Sequence, residues 1–137
     1  MKKKCLTLCI VIITICFGSC GNSTQNSSTY DSAGLRYVVN RLKTPSTAKL
    51  NAYIDKNGMR EICRQSNLPI YSGLELELFE VDGQNAFGAM IRSTFVVFYW
   101  RGEPIHMEEG ESCLSSPINF NYAITAAEIN NNIKITD

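Results

Sequence analysis

Histidine is almost missing from this chain: His106 is the only one among 137 residues. A lone imidazole excludes paired-histidine metal sites and leaves one candidate for general-base work near neutral pH. Tryptophan also occurs once, and neither sign of charge dominates, with 13 basic residues against 13 acidic. No basic stripe interleaves with aromatics, so nucleic-acid binding is set aside. No apolar run reaches the roughly 20 residues of a membrane-spanning helix. The run at residues 5–17 stops at 13. No pattern in the chain calls for a cofactor or a metal.

That short run is nonetheless the most informative segment present. It follows Lys2, Lys3 and Lys4 and ends at Phe17-Gly18-Ser19-Cys20. A basic start, a short apolar core and small residues before a cysteine make an export signal. The segment resembles the signal of a bacterial lipoprotein, in which the cysteine is acylated. Phe17 stands where that family usually has Leu, and bulky Ile15 makes Cys16 the poorer site. The resemblance implies a signal over residues 1–19, lipidation at Cys20 and a cell-envelope location. Multiple acyl chains hold a protein to a membrane durably, where one does not. Gly21 and Asn22 follow Cys20 without an Asp, which by the enteric sorting rule favours the outer membrane over the inner.

Loss of the three lysines leaves 10 basic residues against 13 acidic, an ordinary soluble balance. Residues 20–30 are small and polar and read as a flexible tether. A single domain of residues 31–137 follows, long enough for its own core.

Within that domain Leu35, Val38, Val39 and Leu42 recur at helical spacing, with Asp31 or Ser32 available as a cap. Pro45 stops the helix at Thr44. Residues 48–54 predict a strand ending in a turn at 55–58, and residues 59–65 are ambiguous. Leu74-Glu-Leu-Glu-Leu78 alternates, predicting a half-buried strand with Glu75 and Glu77 on its wet side. Residues 82–88 are rich in turn formers, and 90–101 predict a long central strand covered on both faces. Residues 103–116 are acidic and read as a solvated loop. Residues 123–130 favour helix while Ile133-Lys-Ile135 alternates like a strand, and the pattern does not choose between them. The whole predicts an α+β fold: an N-terminal amphipathic helix packed on an antiparallel sheet of about four strands.

Candidate chemistry is sparse. With Cys5, Cys9 and Cys16 in the signal and Cys20 acylated, Cys63 and Cys113 remain. In an oxidising compartment they are expected to form a disulfide. Left reduced, either could pair with His106 as a thiol nucleophile, given spatial adjacency. Glu108, Glu109 and Glu111 lack the ligand order of a calcium loop. The richest polar group is Asp82, Gln84, Asn85 and Arg92, flanking Phe87. Such an exposed hairpin loop could bind a ligand or partner. Alternatively, Asn85 and Gly88 supply turn geometry and Arg92 pairs with Asp82 across the hairpin.

Two stretches carry a second resemblance. Arg41-Leu-Lys-Thr-Pro-Ser-Thr-Ala-Lys-Leu50, then Val81-Asp-Gly-Gln-Asn-Ala-Phe-Gly-Ala-Met-Ile-Arg-Ser-Thr-Phe95, is similar to an uncharacterised small domain of bacterial envelope and phage-associated proteins. Leu50 replaces the usual Phe, and the insert between the two elements is longer here. The resemblance implies no activity. A cystatin-like arrangement of helix on curved sheet suits its order of elements, by fold analogy. The resulting expectation is a lipid-anchored envelope protein with a non-enzymatic binding or structural domain, partnered by the membrane and an envelope protein. The alternative is an inhibitor or immunity-type protein acting on a toxin or hydrolase, and a Cys-His thiol enzyme ranks third.

Overall fold

The structure, a computed structural model, describes residues 32–135. The signal, Cys20 and the tether lie outside the described residues. Four strands form one antiparallel sheet in the order β1-β2-β3-β4: β1 Lys49–Ile54, β2 Leu74–Gln84, β3 Met90–Trp100 and β4 Glu103–Glu109. Helix α1 (Ala33–Val39) precedes them, α2 (Lys56–Gln65) joins β1 to β2, and α3 (Pro117–Asn131) follows β4. The fold is therefore α+β.

Register places the side chains. Leu76 pairs with Phe98 and Leu78 with Val96, so the even-numbered residues of β2 and β3 share one face. That face takes Met59, Ile62 and Cys63 from α2 and Phe120, Ala123, Ile124 and Ala127 from α3, all buried. The odd face carries Phe79, Val81, Phe95, Val97 and Tyr99, against Leu35 and Val38 of α1. Both faces of β3 are thus covered, as its uninterrupted apolar run requires.

Two segments depart from expectation, and the structure decides the open C-terminal one. Residues 55–58 are not a turn: the Asp55 carboxylate accepts from the Gly58 amide at 2.8 Å and caps α2. Residues 103–109 are not a solvated loop but the edge strand β4. Its turn, Arg101 and Gly102, has φ of 50° and 90°, the left-handed pair that joins twisted strands tightly. The C-terminal segment is helix, capped by Ser116 with Pro117 in its first turn and closed by Asn132 at φ 51°. Ile135 does not extend a strand; its amide donates to Glu128 at 2.6 Å, and its side chain is buried beneath α3.

Candidate functional site at the hairpin tip

The β2–β3 hairpin brings together all five residues of the expected loop. Asp82 and Arg92 face each other directly across the two strands. Arg92 donates from Nε to Oδ1 at 2.8 Å and from Nη2 to Oδ2 at 3.0 Å, a bidentate fork that fixes register. These bonds, with the guanidinium charge and that of Lys49, hold the Asp82 carboxyl below its ordinary range. Arg92 is exposed and Asp82 half-buried, so the pair adds a modest stabilisation to its geometric role.

Beyond that pair the turn closes on itself. Asn85 Oδ1 accepts from the Phe87 amide at 2.9 Å and the Ala89 amide at 3.0 Å. The Asn85 backbone exchanges hydrogen bonds with Ala89 and Gly88, and Gly88 turns the chain at φ 83°. Gln84 donates from Nε2 to the Gly88 carbonyl at 2.7 Å. Gln84 and Asn85 thus each commit a side-chain group to holding the shape of the tip. What remains for the outside is apolar: Phe87 is 94% exposed, with Met90 and Ile91 beside it at 58% and 45%.

A grip on the hairpin escaped the sequence reading. The Gln84 carbonyl accepts from Thr44 Oγ1 at 2.5 Å, and its amide donates to Thr47 Oγ1 at 3.0 Å. The 3-10 turn Pro45–Thr47 thereby continues, with hydroxyls, the pairing that β1 begins at Lys49 and Asp82. So the two motif stretches meet in space, the first clamping the second. Their joint presence was the available signal.

Glu77 is the clearest correction. It is not on a wet side: only 6% exposed, it is the one buried charged residue among those described. Its carboxylate accepts from the Tyr53 hydroxyl at 2.6 Å and from the Tyr99 hydroxyl. Burial, and then the bonds to Glu77, push both phenols well above their ordinary value. Helix α1 seals the group. A Cβ added at Gly34 would stand 1.9 Å from Tyr99 Oη and 2.7 Å from Glu77 Oε2, so only glycine lets α1 come this close. Glu75, by contrast, is half-buried and pairs with Lys56 at 2.6 Å.

The expected Cys63–Cys113 disulfide is not formed. Both residues are free thiols, 2% and 4% exposed, in the apolar cluster under α2 and α3, where they pack as small hydrophobes. Burial raises Cys63 to about 11 and, with help from the Glu108 charge, Cys113 to about 12. At neutral pH almost no thiolate is present to act as a nucleophile. The His106 Nε2 lies 2.8 Å from Glu108 Oε1. Glu109 instead accepts from Ser93 Oγ at 3.1 Å. Among the described residues no cluster of three or more potential metal ligands occurs, and no helix is long and apolar enough to cross a membrane.

The site is thus a rigid, polar-braced hairpin with an apolar point, carried on a small α+β domain. Comparison with protein-family models, with curated proteins and with solved structures finds no match.

Proposed function

We propose that this chain is a lipid-anchored cell-envelope protein whose domain binds a protein partner through the β2–β3 hairpin tip and performs no catalysis. The observation that carries the reading is Phe87, 94% exposed at the point of a turn braced from within by Gln84 and Asn85. Exposing an aromatic ring costs solubility, and pre-ordering the loop around it removes the entropy that binding would otherwise lose. Aromatic anchors of this kind dominate interface energetics. Anchoring through Cys20 and location in the outer membrane rest on the Phe17-Gly18-Ser19-Cys20 site and the Gly21-Asn22 pair after it.

The test is affinity capture from envelope extracts. Phe87→Ala should leave the fold intact, since the side chain packs on nothing, while binding falls by about 10-fold to 100-fold, the 2 kcal/mol or more of a hot spot. Capture unchanged by Phe87→Ala would refute the tip as the binding site. Cys20→Ala should release the chain from membranes.

A second reading is inhibition of a hydrolase or toxin, favoured by the same rigid projecting tip, which is the shape that enters a cleft. The cystatin-like arrangement belongs here and rests on fold analogy. It accounts for α1 over the odd face but not for α2 and α3 over the other. Capture of a single hydrolase whose turnover stops on binding would select this reading.

A further inference from the structure

The end of the sheet opposite the hairpin tip carries its own surface. The loop between α2 and β2 and the turn between β3 and β4 come together there: the Arg101 amide donates to the Gly73 carbonyl at 2.9 Å. Between them lies a shallow groove whose side chains include Arg60, Ile70, Tyr71, Ser72, Glu75 and Arg101. Ile70 is 53% exposed. The guanidinium of Arg101 lies 5.3 Å from the Trp100 ring. Among the described residues neither Arg60 nor Arg101 has an ion-pair partner. Glu75, in the groove wall, is neutralised by Lys56 at 2.6 Å, and Glu103 is the one carboxylate on the turn. Two guanidiniums without ion-pair partners, beside an isoleucine and a half-buried tyrosine and tryptophan, are the composition of a membrane-interface patch.

The position of the chain's entry into the fold says what covers this patch. Gly34 lies against Glu77 and Tyr99, whereas Leu42 lies against Gly83. Helix α1 and the turn after it therefore run toward the hairpin tip. Ser32, the first described residue, enters at the Arg101 end. Eleven residues separate it from Cys20. The tip lies about 30 Å further along β3, at about 3.3 Å per residue. A chain anchored at Cys20 therefore meets its own fold at the groove end, with the tip at the far end.

We propose that the groove end, through Arg60, Arg101, Ile70, Tyr71 and Trp100, rests on the anionic phospholipid headgroups of the membrane that holds the lipid anchor. This rests on the anchoring reading above and orients it: the domain lies base-down, with Phe87 pointing outward to its partner. Arginines at such a surface meet phosphate oxygens, and the negative surface potential attracts them.

Trp100 is the only tryptophan in the chain, so its emission reports on this surface alone. The acylated chain, purified from membranes, is incorporated into vesicles of brominated phosphatidylcholine with about one-third phosphatidylglycerol. Flotation with the vesicles first establishes the anchor. Trp100 emission should then fall at least twofold relative to unbrominated vesicles. Arg60→Ala with Arg101→Ala should restore most of it, as should replacing phosphatidylglycerol by neutral lipid. Both arginines are exposed, so that variant should keep its fold. Emission unaffected by bromine in a floating chain overturns the proposal. So does quenching indifferent to both the arginines and lipid charge, which the tether alone would give. Quenching of a tryptophan moved to the tip (Phe87→Trp with Trp100→Phe) also overturns it, by inverting the orientation. A chain that does not float at all brings down the anchoring reading and this one with it, and is distinguished by flotation rather than fluorescence.

Discussion

Replacing Gly34 by alanine should destabilise the domain even though helix propensity predicts the reverse. In an exposed helix interior, Gly→Ala gains about 1 kcal/mol. Here the new methyl would occupy space already held by Tyr99 Oη, Glu77 Oε2 and Phe79, at 1.9, 2.7 and 2.9 Å. Overpacking of a tight site costs about 1–3 kcal/mol. If α1 lifts to make room, the buried Glu77 carboxylate loses the seal over its two phenol bonds, at about 1–3 kcal/mol more. The net is a loss of about 1–5 kcal/mol, or about 5–25 °C in Tm for a domain of this size. Thermal and urea unfolding of the purified protein measure it. Tyr99→Phe in the Gly34→Ala background removes the oxygen nearest the methyl and should return part of the loss. A Gly34→Ala protein as stable as the parent, or more so, would show that α1 does not sit on Glu77, and the account of the odd face would fail.

Two further outcomes are expected. Alkylation mapped by mass spectrometry should find Cys63 and Cys113 unmodified in the native state and both labelled in denaturant, as buried thiols held at about 11 and 12 demand; resistance to labelling in denaturant without reductant would mean a bridge. The Asp82 carboxyl is held below its ordinary 3.8 by Arg92. Its contribution is therefore complete above that value and disappears as pH falls through the lowered one. The urea midpoints of the parent and Asp82→Asn should differ at pH 7 and converge near pH 2, and a gap that persists in acid would contradict the pairing.

The hairpin was legible in the sequence because its signals are local. Asn85 and Gly88 carry turn chemistry in their own backbones, and Asp82 and Arg92 are placed by counting outward from the turn. Strand β4 was hidden because its turn is made by Arg101 and Gly102 rather than a familiar Asn-Gly pair. Its alternation is also diluted by Pro104, Glu108 and Glu109. Asp55 misled because the same residue that starts a turn also caps a helix. Glu77 was illegible for a different reason. Alternation reports which residues share a face, not whether that face is covered. Covering it required Gly34, 43 positions away and inconspicuous within the helical stripe. The clamp of Thr44 and Thr47 on Gln84 is non-local in the same sense.

The meander order of the sheet bears on how the chain assembles. Each strand pairs only with its neighbours in sequence, so no strand waits for a later one to be threaded between existing partners. A chain delivered from its N-terminus can zip β1 through β4 in order of arrival, closing short loops at modest entropic cost. The exception is the even face, whose cover is completed only when α3 arrives last with Phe120 and Ile124. Until residue 131 has emerged, Leu74, Leu76 and Phe98 stand partly open. The C-terminal helix therefore sets the moment at which a nascent or translocating copy stops being sticky, and truncation inside α3 would leave a sheet that forms but aggregates.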